Sequence, residues 1–162
     1  MSSTVAERIL VKVAERLEAI KVADGYEIDV LEVLRARRFD NESPRHLQCT
    51  VSLESLTPSD QLSHMGNPPA QGWDMVVRCG MIVTPPEDDH YPADDWRLVA
   101  YGAMSKAITA PTAWYHWDGL AVNSQILAPE FRRTAEQGQI GTHLMVNIQF
   151  RTDENDPYQV RL

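Results

Sequence analysis

The stretch Leu144-Met145-Val146-Asn147-Ile148-Gln149-Phe150-Arg151 puts Leu144, Val146, Ile148 and Phe150 on one side of an extended chain. Met145, Asn147, Gln149 and Arg151 fall on the other. A period of two with one oily face describes a half-buried strand of an antiparallel sheet. The strand runs into a polar turn, Thr152-Asp153-Glu154-Asn155-Asp156-Pro157-Tyr158. The rest of the chain must supply its neighbours and a layer to cover its apolar face.

Upstream, the same period recurs. Leu47, Cys49, Val51 and Leu53 alternate, as do Trp73, Met75, Val77, Cys79, Met81 and Val83 before Pro85-Pro86 halts the run. Ile28, Val30, Leu31, Val33 and Leu34 suit a first strand ending near Arg35-Ala36-Arg37-Arg38. Leu120, Val122, Ser124 and Ile126 suit a fourth, open to a continuation past Pro129 into Phe131-Arg132-Arg133. Gly138 and Gly141 mark the turn before the closing strand.

Two segments carry the helical period instead. Thr4-Val5-Ala6-Glu7 fits a capping box, and Ile9, Leu10, Val13, Leu17 and Ile20 then share one face. Lys21 suits the negative helix end, and Gly25 can supply a left-handed stop. In the second helix Asp94 or Asp95 can act as the cap. Trp96, Val99, Ala100, Ala103, Met104, Ala107 and Ile108 form its stripe, and Pro111-Thr112 ends it. The expected order is α-β-β-β-α-β-β. That is a two-layer α+β domain, with a mostly antiparallel sheet of about five strands and two helices on one face. The pairing order does not follow from the pattern.

At 162 residues, residues 1–162 are expected to form one domain, with 43% apolar residues to build its core. Residues 55–72 contain Pro58, Gly66, Pro68, Pro69 and Gly72 and almost nothing oily. They are expected to form a long loop that orders mainly on assembly with a partner. A net charge of −8 argues against non-specific attraction to nucleic acid or anionic membrane. No apolar run is long enough to span a bilayer, and Glu7, Arg8, Lys12, Glu15 and Arg16 interrupt any signal-like pattern at the N-terminus. The chain is therefore expected in the cytosol or in a particle assembled there.

Chemistry-bearing clusters are sparse. Cys49 and Cys79 fall on the apolar parity of their strands and read as small buried hydrophobes. Glu87-Asp88-Asp89-His90 with Asp94-Asp95 lacks the spacing of a calcium loop and reads as a solvated loop ahead of a helix. His46, His64, His90, His116 and His143 are scattered, and no nucleophile elbow or phosphate-binding glycine loop occurs. No catalytic residue, metal or cofactor is expected. Arg35, Arg37 and Arg38, and Arg132 and Arg133, read either as cations for a neighbouring subunit's carboxylates or as ordinary strand-end charges. Trp114-Tyr115-His116-Trp117 reads either as an interface anchor or as a plug for one end of the core.

Taken in order, these elements resemble the tail terminator proteins of long-tailed bacteriophages. The resemblance is carried by the amphipathic first helix and by Val33-Leu34-Arg35-Ala36-Arg37-Arg38 closing the first strand. The Trp73-led central strand, the capped second helix, and Phe150-Arg151-Thr152-Asp153 with Asp156-Pro157-Tyr158 complete it. It implies a structural virion protein: a homo-oligomeric ring, usually a hexamer, that caps the tail tube, stops its elongation and offers a docking surface to the head connector. Its implied partners are further copies of itself, the tube protein and a head-completion protein, with DNA only passing through the lumen. Its implied place is the head-proximal end of the tail, after assembly in the host cytoplasm. Arg35, Arg37, Arg38, Trp73, Arg132, Arg133, Asp156 and Tyr158 are the candidate subunit or partner contacts. A neck or head–tail completion protein is the nearest alternative. A small cytosolic enzyme or ligand-binding domain is the alternative of another class.

Overall fold

The computed structural model describes residues 3–35, 46–65, 69–85, 92–133 and 138–161. Helix α1 spans Val5–Glu18 and α2 spans Ala93–Thr109. The strands are β1 Glu32–Arg35, β2 Gln48–Pro58, β3 Ala70–Val83, β4 Asn123–Ile126, β5 Glu130–Arg133, β6 Ile140–Asp153 and β7 Asp156–Val160. All seven join one sheet of order β1-β2-β3-β6-β4, and β5 and β7 also pair with β6. Every pairing is antiparallel except β1 with β2.

Both helices cover one face of this sheet, which makes the fold a two-layer α+β domain. The alternation that defines β6 also positions it: Leu144, Val146, Ile148 and Phe150 are buried against the helices. Met75, Val77, Cys79, Met81 and Val83 of β3 join them, because directly paired residues share a face. From above come Val5, Ile9, Val13 and Leu17 of α1, and Ala100, Ala103, Met104, Ala107 and Ile108 of α2. Among the described residues no helix lies over the other face, where Val76, Arg78, Met145, Asn147 and Gln149 are half-buried.

Local signals for the helices translate directly at one end and differ at the other. The Thr4 hydroxyl accepts the Glu7 N–H at 3.2 Å, as an N-cap does, while the Glu7 carboxylate turns to Arg35 Nη1 at 3.0 Å. Helix α1 stops at Glu18. Gly25, with φ of 82°, instead ends a short 3-10 turn at Val22–Asp24. Helix α2 begins one residue before the expected aspartates: Pro92 is the N-cap, and Asp94 and Asp95 sit in the first turn, facing the positive end of the helix.

Four expectations about the strands differ from the structure. The first strand is shorter than its apolar run, since Ile28 and Val30 are buried in a loop in which Val30 N–H bonds to Ile20 O at 2.9 Å. The fourth is split: β4 and β5 line the same margin of β6, interrupted at Pro129, which has no N–H to give the ladder. The polar tail turns at Glu154-Asn155 and returns as β7, so the sheet has seven strands where about five were expected. Finally, the expected 55–72 loop is strand at both ends, and only 59–69 connect β2 to β3. Ser55 to Pro58 lie past the part of β2 that the helices cover, so they carry no alternating apolar signal although they pair with Trp73 to Val76.

Along β2 only Gln48–Val51 pair with β1. Among the described residues, nothing pairs with that side of Ser52–Pro58. This free margin contains a bulge between Leu53 and Ser55, the charged Glu54 held at 3.2 Å by Arg78 Nε, and Pro58 at its end.

Several buried side-chain polar atoms of the described residues make no hydrogen bond, and the Thr142 hydroxyl is one of them. Thr142 is fully buried on the helix-covered face, and its hydroxyl oxygen makes no hydrogen bond. Valine has the same shape without the desolvated hydroxyl. Thr142→Val is therefore expected to raise stability by about 1 kcal/mol, read as a higher urea midpoint with an unchanged slope.

Candidate functional site

The Trp114–Trp117 cluster forms the turn between α2 and β4. Trp117 is fully buried, and its indole N–H donates to Ser124 Oγ at 2.8 Å. The Ser124 hydroxyl passes the bond on to Tyr115 O at 3.1 Å. From α1, the Arg16 guanidinium lies 3.9 Å from the Trp117 ring centre and donates to Ile108 O at 2.9 Å and Trp114 O at 3.3 Å. Burial pulls the Arg16 pKa down, opposed by the charge of Asp118. The guanidinium thus holds the end of α2, the turn and α1 together. Trp117 is a plug, while Tyr115 stays partly exposed, edge-on to Trp114 and His116.

Seating that indole costs backbone strain. Ala113, Trp117 and Asp118 adopt left-handed φ values of 63°, 47° and 57°, followed by Gly119 at 84°. The strained turn leaves a depression of about 580 Å³, lined by Pro111, Thr112, Ala113, His116, Asp118, Gly119, Ala121 and Val122. A second depression, of about 360 Å³, lies between Tyr26-Glu27 and the outer side of α2 at Leu98, Val99, Gly102 and Lys106. Lys106 Nζ sits 4.4 Å from the Tyr26 ring and donates to Gly25 O at 2.6 Å. That cation is already committed within the chain.

The tip of the β2–β3 hairpin is tied together more tightly than its composition suggested. The Ser63 hydroxyl donates to Ser59 O at 2.8 Å and accepts from Gly72 N–H at 2.9 Å and Gln71 Nε2 at 3.1 Å. That fills its one-donor, two-acceptor capacity. His64 and Ala70 exchange backbone bonds of 3.2 and 3.1 Å, and Ser59 N–H bonds to Gly72 O at 2.9 Å. From β6, Arg151 Nε donates to Leu62 O at 2.9 Å, and Glu154 N–H reaches Pro69 O at 3.1 Å. Gly72 permits the close approach, since a Cβ there would lie 2.3 Å from Leu62 Cβ. The described part of this segment is thus tied to β3 and β6 by hydrogen bonds within the chain. Beyond it projects Met65, with a relative exposure of 101%, and on the same arm Leu53 and Leu56 are exposed.

The candidate contact residues are spread over the molecule. Arg35 ends β1 at one margin of the sheet and pairs with Glu7. Arg132 and Arg133 lie on β5 at the opposite margin, opposite Gly141 and Ile140. Asp156 and Tyr158 lie on β7. There Asp156 Oδ1 accepts the Tyr158 N–H, and Tyr158 O accepts from Arg8 Nη2, both at 3.0 Å, leaving the tyrosine ring exposed. Trp73 is half-buried against the core and donates to Thr152 Oγ1 at 3.0 Å, an internal tie between β3 and β6. Arg37, Arg38 and the acidic run 87–90 lie outside the described residues. The arm tip and the depression beside the Trp117 turn carry no local sequence signature, since each is assembled by contacts between distant segments.

Among the described residues no three His, Cys, Asp or Glu side chains come together as metal ligands. Cys49 and Cys79 are free and buried. Burial pushes the Cys79 thiol up to about 12 from 9.0, and burial with the neighbouring Cys79 pushes Cys49 up further. Both are protonated at neutral pH and poor nucleophiles. A thiol whose folded pKa is raised adds stability that is complete below its unfolded pKa and is lost as pH climbs toward the folded one. For Cys79 that window runs from 9.0 to about 12. Urea melts at pH 7 and pH 10 are expected to show lower stability at pH 10, with a smaller drop in Cys79→Val.

No protein-family model and no curated protein matches this chain.

Proposed function

We propose that this chain is a structural virion protein, a tail terminator that assembles as a homo-oligomeric ring on the head-proximal end of a long phage tail. In this reading the ring caps the tube protein, stops elongation and offers its opposite side to the head connector. DNA traverses the lumen without specific contacts, which agrees with an acidic chain of net charge −8.

The observation that carries the reading is the braced arm beside a sheet face that no described helix covers. Bonds from Ser63, Gln71 and Arg151 tie the described flanks of the β2–β3 connection to the sheet, and Met65 beside them is fully exposed. A preorganised apolar projection lowers the ordering cost of association. Arg35 on β1 and the exposed Tyr158 ring on β7 lie on different strands, each linked to the start of α1 through Glu7 and Arg8, and offer a neighbour a cation and an aromatic ring.

The test is a mass measurement of the purified protein with and without tail tubes, followed by electron microscopy of labelled protein on particles. Ring-sized oligomers located at the head-proximal tube end are expected. A chain that neither binds tubes nor occurs in virions would overturn the reading.

A further inference from the structure

We propose that the outer ridge of α2 pairs two copies of this chain about a two-fold axis. Asp94, Leu98, Gly102 and Lys106 of one copy lie antiparallel on Lys106, Gly102, Leu98 and Asp94 of the other. The inference goes beyond the tail reading and does not depend on it.

These four residues are spaced four apart, so they stand in one row along the helix, about 6 Å from one to the next. All four are exposed, and Leu98 shows 58% of its surface. The stripe that α2 gives to its own core runs along another side, through Ala100, Ala103, Met104, Ala107 and Ile108. Gly102 is the least expected member of the row. Glycine weakens a helix interior relative to alanine. Here the backbone is ordinary helix, and a Cβ would meet no atom of the chain within 4 Å. Nothing inside the chain requires a missing side chain at this position. Close approach by a neighbour does.

The chemistry of the row identifies that neighbour. In chain order it reads acid, leucine, gap, cation. Reversed, it reads cation, gap, leucine, acid. Laid antiparallel and centred between Leu98 and Gly102, each leucine meets the gap at the partner's glycine, and each Asp94 faces Lys106 across the axis. A depression of about 360 Å³ opens beside Gly102, bordered by Tyr26, Glu27 and Lys106, and gives the incoming leucine room. The charges are held in place beforehand. Arg97 Nη1 lies 2.6 Å from Asp94 Oδ1. Lys106 is fixed by Gly25 O and the Tyr26 ring, which takes one of its three N–H donors. Each acid also sits in the first turn of its helix and each lysine near the last, so the antiparallel helix dipoles favour the same arrangement. A surface whose every position is complemented by a copy of itself describes an isologous contact, which stops at two chains. The occupant is therefore a second copy, and this contact is separate from the head-to-tail one that a ring needs.

The experiment follows mass against concentration for the full chain by analytical ultracentrifugation. The unaltered protein is expected to pass from monomer to dimer, at higher concentration as salt is raised. Asp94→Lys alone and Lys106→Asp alone are each expected to weaken pairing about tenfold, because each sets like charges together at both symmetric positions. An equimolar mixture of the two is expected to restore it, since the reversals then face each other with opposite sign. Gly102→Leu fills the gap where its own chain leaves space. It is expected to keep its melting curve and to weaken pairing about a hundredfold. Should Lys106→Asp melt early through loss of its bond to Gly25 O, Asp94→Lys and Gly102→Leu decide the matter. Self-association that ignores these two substitutions would overturn the proposal, and so would an unaltered protein that stays monomeric. A monomer whose binding to tail tubes is lost in Gly102→Leu would overturn it in favour of the tube protein as occupant. Dimers that respond as expected but never meet a tail would uphold the pairing and remove only the tail reading.

Discussion

Trp117→Ala is expected to lower the unfolding free energy by about 4 kcal/mol, the cost of emptying a large buried aromatic site, measured as a shift of the urea midpoint. Several losses coincide at this position. The cavity would open in a core where the indole is fully buried. Ser124 Oγ would lose the donor now 2.8 Å away, and Arg16 would lose the ring it covers at 3.9 Å. The left-handed conformations of Ala113 and Asp118 would no longer be offset by the seated side chain. Trp117→Phe should fall between the two, since it restores most of the volume but not the N–H. A loss below about 1 kcal/mol would mean that the turn relaxes and that the depression beside it is not preformed.

Gly72→Val is expected to have the second-largest effect, about 3 kcal/mol, from overpacking against groups that cannot yield. A Cβ at this position would meet Leu62 Cβ at 2.3 Å, and Leu62 C and Ser59 O at 2.7 Å. Two of those three atoms are backbone, fixed by the Ser63 and Arg151 bonds, so a side-chain swing is no remedy. The chain has one alternative, which is to release the tip. Limited proteolysis separates the outcomes: cleavage near Leu62 in a protein that melts normally marks release, and a lowered melting point without cleavage marks strain carried by the whole sheet. Either result shows that Gly72 sets the arm. An unchanged melt with an intact tip would show that it does not.

Where a residue's neighbours lie close in sequence or on one face, the fold was legible. Leu144 to Phe150 announced β6 because a strand covered on one side must alternate. Ile9, Val13 and Leu17 announced α1 for the corresponding reason at the helical period. The same rule explains the misses. Ser55 to Pro58 are strand without an apolar face, because the helices end before reaching them. Ile28 and Val30 are apolar without being strand, because burial in a loop leaves the same imprint on composition. The candidate site was less legible still. Whether Trp117 plugs or protrudes depends on Arg16, which belongs to α1 and leaves no trace in the Trp114–Trp117 pattern. The order of the β2–β3 tip depends on Arg151 reaching across from β6. Proline and glycine counts suggested slackness in that segment because they register backbone preference and not tertiary ties.

The margin of β2 from Ser52 to Pro58, which no described residue pairs with, has a practical consequence. An open strand rim at the high local concentration of an assembling particle is a template on which unrelated backbones can grow into fibres. The offset ladder at Leu53–Ser55, the carboxylate of Glu54 and the missing donor of Pro58 spoil that template in one short run. Concentrated stocks should therefore stay free of thioflavin-positive material. Replacing Glu54 and Pro58 together with Val should shorten the lag before such material appears, without first unfolding the protein.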